Sequence, residues 1–216
     1  MKKKIAILGS TGSIGKSTLD VIRKNKKNFD IILLSANNNY KKLIQQAKKF
    51  KARNVLIKNE LYFKKVKSSL TNTSTKVYSG NTSINDIIKT KIDYTMSAIV
   101  GIAGLQPTLD AIKISNKVAI ANKESIICGW ELISRMQKKY STIILPVDSE
   151  HFSIMELTKN LKDKEIEEII ITASGGPFLN LPINKLNKVK PKQAIKHPNW
   201  KMGKKISVDS ATMMNK

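Results

Sequence analysis

The chain has 216 residues, 41% of them apolar, and a formal net charge of +23, long enough to bury a core in one or two domains and too apolar for a disordered polymer. No segment reaches the roughly 18 consecutive apolar residues of a membrane span, and a single cysteine, Cys128, excludes an internal disulfide and fits a reducing compartment. The charge would suit nucleic acid or an anionic membrane, but the cations are almost all lysines spread over the whole chain, with arginine only at Arg23, Arg53 and Arg135; they read as solvated surface rather than a dedicated nucleic-acid face.

The start, "MKKKIAILGS", is basic and then apolar, but the run "IAIL" is too short for a signal peptide's apolar region. It reads as a first strand over 4–9, in a cytoplasmic protein. A helix follows over 15–25, a near-continuously apolar strand over 29–37, a helix over 40–51, a strand over 54–58 and a helix over 61–70. Strands are expected at 75–80, 94–101, 117–122 and 142–147, with helices at 105–115 and 124–139 between them and a further helix from His151. Such alternation predicts an α/β fold: a Rossmann-like, doubly wound, mostly parallel sheet over 1–147. The loop-rich stretch 148–216 reads as the start of a second, α+β domain.

"ILGSTGSIGKSTL" (7–19) places Gly9, Gly12 and Gly15 between the first strand and the first helix. Glycines there allow a tight turn and close backbone approach, and the helix N-terminus offers free N–H groups to a pyrophosphate. An NAD-type site usually carries an acid about 20 residues further on, to hold the ribose 2′-hydroxyl. Here the second strand ends in "SANNN" (35–39), followed by Lys41 and Lys42. With no acid to repel it, a 2′-phosphate can be held by amides and lysines, which predicts NADPH over NADH.

"LPVDSEH" (145–151) ends a strand with Asp148 and Glu150 two residues apart. At the period of a strand their side chains project to one side, at the sheet edge where ligands of open α/β folds bind. Two carboxylates suit Mg²⁺ or Mn²⁺ better than zinc; ordinary solvated acids are the alternative.

Six stretches, "GSTGSIG", "GIAGLQPTLDAI" (101–112), "ANKES" (121–125), "LPVDSEH", "TASGGPF" (172–178) and "HPNWKMGKKISVDSATMMNK" (197–216), together resemble the 1-deoxy-D-xylulose 5-phosphate reductoisomerases. The resemblance runs from about residue 3 to the last residue, in the family's order. It implies an NADPH- and Mn²⁺- or Mg²⁺-dependent oxidoreductase of the methylerythritol phosphate route to isoprenoids. Such an enzyme rearranges the sugar phosphate and then reduces it to 2-C-methyl-D-erythritol 4-phosphate. The implied domains are an NADPH-binding domain, 1–147, and the N-terminal part of a catalytic, metal-binding domain, 148–216.

Residue by residue, the resemblance implies cofactor contacts at Gly9, Thr11, Gly12, Ser13, Ile14, Asn37, Asn38, Asn39, Asn122, Glu124 and Gly203. It implies metal ligands at Asp148 and Glu150, and catalytic roles for Lys123, Glu150 and His197. Substrate contacts fall at Ser149 and Trp200, with Ser174, Ser210, Asn215 and Lys216 gripping the phosphate; Lys123, Glu150 and His197 also touch substrate. "HPNWKMG" corresponds to a loop that closes over the substrate, and His151 is left as structural. In the family "MMNK" continues into G-L-E, whose glutamate completes the metal's protein ligands. The chain is therefore expected to correspond to the N-terminal half of a member that is a homodimer at full length. Two alternatives stand beside an active enzyme: an inactive NADPH-binding remnant of it, and a basic nucleic-acid-binding protein. A generic NADP-dependent dehydrogenase would leave 197–216 unexplained.

Overall fold

The computed structural model describes residues 1–80, 82–201 and 203–210. The chain divides into two compact units, Met1–Val147 and Asp148–Lys216.

The first unit carries seven strands: β1 (Lys3–Leu8), β2 (Phe29–Ala36), β3 (Asn54–Ile57), β4 (Lys76–Ser79), β5 (Ile92–Ser97), β6 (Ser115–Ile120) and β7 (Ile143–Pro146). They form one sheet in the order β4-β3-β2-β1-β5-β6-β7, parallel at every pairing. Among the described residues the α-helices that connect them are α1 (Ser13–Lys24), α2 (Tyr40–Phe50), α3 (Phe63–Ser69), α4 (Ile84–Ile87), α5 (Leu105–Ile114) and α6 (Lys123–Tyr140). The doubly wound expectation holds, with every strand parallel. The strand expected over 94–101 instead spans Ile92–Ser97, and α4, a four-residue turn capped by the Ser83 hydroxyl, lacks the periodicity that marks longer helices.

Both faces of the sheet are covered, which is why the strands read as apolar runs. Leu19 and Ile22 of α1, Leu43 and Ala47 of α2 and Val66 of α3 pack with Ile5 and Ile7 on one face. Ile84, Ile87, Ala111, Ile112 and Ile133 pack with Ala6 and Leu8 on the other. In β2 the alternation breaks: Ile32 and Leu33 both join the second core, while Ile31 and Leu34 join the first. A bulge explains it, since Ile5 pairs with Ile31 but Ala6 pairs with Leu33; the extra residue, Ile32, shifts the pleat by one. Side chains such as Leu33, Leu34 and Ile112 are fully buried, each contributing about 1.5–3 kcal/mol.

The winding reverses beside β1: β2, β3 and β4 run outward on one side, and β5, β6 and β7 on the other. The loops after β1 and β5 therefore diverge to opposite faces and leave a crevice at the C-terminal edge, where open α/β sheets bind ligands.

The regular elements described in the second unit are helical. They are α7 (Ser149–Thr158), α8 (Pro191–Ala194) and α9 (Lys204–Asp209), with three short 3₁₀ turns between α7 and α8. Among the described residues no helix is long and apolar enough to cross a membrane.

Candidate functional site

The glycine loop sits at the crevice. Gly9 has φ +78°, and a Cβ there would lie 2.6 Å from the Ala98 carbonyl oxygen at the end of β5. A Cβ on Gly15 would lie 2.5 Å from the Gly9 carbonyl oxygen, so the first turn of α1 rests directly on the loop. Gly12 is the N-cap of α1 and its N–H donates to the Gly9 carbonyl, 3.0 Å. The turn thus brings a helix N-terminus to the strand end, with no side chain in the way.

A buried polar network fixes this loop. The Ser10 N–H donates to the Ser35 carbonyl, 2.8 Å, and the Gly9 N–H to the Ser35 hydroxyl, 3.1 Å. From α2, Gln46 accepts from the Ser10 hydroxyl and donates to the Ser10 carbonyl.

A cleft of about 850 Å³ opens from the loop, within the range of small-molecule sites. Gly9, Thr11, Gly12 and Asn37 line it. Ser13 and Ile14 begin α1 beside it. Asn38 and Asn39 follow Asn37, but their side chains serve the backbone and a neighbouring loop: Asn38 accepts from Asn59, 2.8 Å, and Asn39 caps α2 through the Lys42 N–H, 3.2 Å. Lys41 and Lys42, expected to face a 2′-phosphate, lie exposed on α2 and do not line the cleft. The cation that lines it beside Asn37 is Lys58, directly after β3, whose ammonium donates to the Gly80 carbonyl after β4, 2.7 Å. Ser83, Asn85, Gln106 and Asp110 line it as well. Sequence reasoning missed all of these. The signal available was position: Lys58 and Gly80 end predicted strands at the ligand-binding edge.

Asn122 takes another part. It caps α6, accepting from the Ser125 N–H, 3.0 Å, and is 2% exposed. Its amide nitrogen donates to the carbonyls of Ile99 and of Gly101. With all of these bonds made, the side chain pins the loop after β5, and Ile99 and Val100 of that loop line the cleft. Lys123 and Glu124 form the first turn of α6, both half-buried.

In the second unit, Asp148 and Glu150 do not share a strand face as expected. β7 ends at Pro146, Asp148 is the N-cap of α7 and Glu150 lies in its first turn, so the period of two does not apply across them. The Asp148 carboxylate accepts from the ring Nδ1 of His151, 2.8 Å, which gives that histidine its structural partner. Two carboxylates on one cap and first turn fit a Mg²⁺-type ion, which is commonly held by one or two carboxylates together with water and substrate oxygens. Ser149 is exposed between them. Among the described residues no group of three or more His, Cys, Asp or Glu side chains converges.

His197 is buried, 8% exposed. Its Nδ1 accepts the N–H groups of Asn199 and Trp200, both 3.1 Å. That nitrogen carries no proton, so Nε2 does, and it donates to the Ser174 hydroxyl oxygen, 3.0 Å. Trp200 stacks on the ring at 4.8 Å and is 57% exposed. Ser174, accepting from the imidazole, has its own O–H left to donate. Gly203 is the N-cap of α9, and Ser210 donates to the Ser207 carbonyl, 2.7 Å. Asn215 and Lys216 lie outside the described residues.

The doubly wound sheet, the glycine loop at its switch point and the cleft beyond it define a dinucleotide-binding α/β protein. The family profile of 1-deoxy-D-xylulose 5-phosphate reductoisomerase matches residues 5–129, and that of the C-terminal domain of the same enzyme matches 144–216. The chain belongs to the 1-deoxy-D-xylulose 5-phosphate reductoisomerase family.

It is 56% identical to the 1-deoxy-D-xylulose 5-phosphate reductoisomerase of Pelagibacter ubique, over 99% of this chain and 56% of that protein. It is 45% identical to that of Bacteroides fragilis, over 100% and 56%. Among solved structures, the Zymomonas mobilis reductoisomerase in complex with NADPH aligns at TM-score 0.85 and 38% identity, over 100% of this chain and 55% of that one. A DOX-P reductoisomerase in complex with NADPH, fosmidomycin and magnesium aligns at 0.87 and 35%, over 99% and 55%. The chain spans about half the length of the relatives it matches.

Proposed function

We propose that this chain supplies the NADPH-binding domain, Met1–Val147, and the opening part of the catalytic domain, from Asp148, of an enzyme that acts on 1-deoxy-D-xylulose 5-phosphate. The enzyme rearranges that sugar phosphate and reduces the product to 2-C-methyl-D-erythritol 4-phosphate. The observation that carries the reading is the contact of Gly9 with Ala98, which leaves the N-terminus of α1 open to a pyrophosphate at the switch point. Relatives solved with NADPH and with magnesium support the choice of cofactors.

In this reading the loop amides of Thr11, Gly12, Ser13 and Ile14 hold the cofactor's phosphates, and Asn37–Asn39 with Lys58 hold its ribose phosphate. Asn122 positions the loop after β5, and Glu124 and Gly203 belong to the cofactor side. Asp148 and Glu150 hold Mg²⁺ or Mn²⁺, which polarises the substrate's oxygens during rearrangement and reduction. Lys123 places a cation where oxyanion charge develops. Ser149 touches substrate, and Ser174, Ser210, Asn215 and Lys216 grip its phosphate. His197 keeps the Ser174 proton directed at the ligand, and Trp200 covers the substrate from water. In the whole protein two copies pair.

The test is a spectrophotometric assay of NADPH consumption with 1-deoxy-D-xylulose 5-phosphate and Mn²⁺. Substrate- and metal-dependent oxidation is the expected result for the intact enzyme. Binding of NADPH without oxidation would reduce the protein to a cofactor-binding chain, and neither would remove the reading.

A further inference from the structure

Where the cleft passes α4 and α5, it meets a polar cluster that no role above uses. Asp110, 9% exposed, accepts at Oδ1 from Asn85 Nδ2 at 3.1 Å, Gln106 Nε2 at 3.1 Å and Lys113 Nζ at 3.3 Å. All three bonds converge on that one oxygen, and among the described residues none of them goes to Oδ2. The amide of Asn85 is oriented by this carboxylate, because flipping it would set oxygen against oxygen. Its carbonyl oxygen is enclosed and takes no hydrogen bond among the described residues, an arrangement that is costly unless a donor arrives. All four residues line the cleft, with Ile84, Ile99 and Pro107 as apolar walls.

We infer that Asp110 reads the base of the bound dinucleotide, accepting a hydrogen bond from the exocyclic amine of an adenine. The inference rests on the NADPH reading. With pyrophosphate at the glycine loop and ribose at Asn37, the base continues into the cleft toward α4 and α5. Its flat faces suit the apolar walls. An adenine edge offers an amine donor beside a ring-nitrogen acceptor; Asp110 supplies the acceptor, and Gln106, whose amide has a second hydrogen, the neighbouring donor. A base with a carbonyl in place of the amine would set oxygen against this carboxylate.

The test compares, by calorimetric titration of the wild-type chain, binding of NADPH with that of reduced nicotinamide hypoxanthine dinucleotide phosphate. In the latter a carbonyl replaces the amine and the adjacent ring nitrogen carries a proton, so that both positions of the edge are inverted. NADPH is expected to bind roughly tenfold tighter or more, the scale of one hydrogen bond to a charged group. Asp110→Asn, whose oxygen is held toward the same three donors so that its amide nitrogen faces the base, is expected to narrow that ratio severalfold while still binding NADPH. Equal affinity of the wild type for the two dinucleotides would overturn the inference and leave the NADPH reading standing. So would an unchanged ratio in a folded Asp110→Asn protein. If that variant does not fold, the wild-type ratio decides alone. Failure of both dinucleotides to bind would overturn the NADPH reading and this inference with it.

Discussion

Gln46 and Ser10, on α2 and in the glycine loop, hold each other reciprocally: the serine hydroxyl donates to Gln46 Oε1 at 2.8 Å, and Gln46 Nε2 donates to the Ser10 carbonyl at 2.9 Å. Both residues are buried, Ser10 at 0% and Gln46 at 5% exposure. Replacing Gln46 by leucine leaves the buried Ser10 carbonyl without that donor, at about 1–3 kcal/mol, while the Ser10 hydroxyl keeps only the Ser35 carbonyl, 3.2 Å, as acceptor. Gln46→Leu is expected to lower the urea midpoint and weaken NADPH binding, both read on one preparation. A variant as stable and as tight-binding as the wild type would show that the clamp does not hold the loop.

The glycine loop itself makes a sharper prediction. A methyl at position 15 meets backbone of the loop, including the Gly9 carbonyl oxygen at 2.5 Å, so either the loop or α1 must move. Gly15→Ala is expected to reduce NADPH affinity more than tenfold, measured by fluorescence titration, and to destabilise the first unit by about 1–3 kcal/mol, as overpacking does.

Cofactor choice is predicted to rest on Lys58 rather than on the lysines of α2. Lys58→Gln should weaken NADPH roughly tenfold through loss of a charge-assisted contact and leave NADH unaffected. Lys41→Gln and Lys42→Gln should change neither. Dissociation constants for both nucleotides with each variant check this. A loss confined to the α2 lysines would restore them as the phosphate ligands.

The carboxylates are separable from the cofactor site. Asp148→Asn and Glu150→Gln are each expected to abolish metal-dependent turnover in the intact enzyme and to weaken Mn²⁺ binding, measured by electron paramagnetic resonance. NADPH affinity should stay within about twofold. Full activity in either variant would remove that residue from the metal site.

His197 is predicted to act chiefly through its hydrogen bonds. His197→Phe keeps the stacking on Trp200 but leaves the N–H groups of Asn199 and Trp200 without their acceptor, a loss of about 1–3 kcal/mol for each that stays buried. Binding of the proposed substrate, 1-deoxy-D-xylulose 5-phosphate, by the intact enzyme should weaken with it, because Ser174 loses the partner that fixes its hydroxyl. Retention of tight binding would separate His197 from Ser174.

Much of the fold was legible because its signals are local. Glycines between an apolar strand and a helix, and strands buried on both faces, carry their pattern within about ten residues. Positions that come together only through strand order were not legible. Lys58, Asn85 and Asp110 share a cleft because β3, β4 and β5 present their C-terminal ends on one edge, which no spacing announces. α4 was missed because four residues show no period. The shared face assumed for Asp148 and Glu150 failed for a specific reason: Pro146 ends the strand, and Asp148 already serves as a helix cap. The link between His197 and Ser174 joins two loops 23 residues apart, and neither loop has a repeating pattern to reveal it.

Titration of this chain with NADPH and with NADH tests the central claim most directly. The account predicts a single saturable NADPH site, roughly tenfold or more tighter than NADH and weakened more than tenfold in Gly15→Ala. Absence of NADPH binding by a folded chain, or tighter binding of NADH, would contradict it.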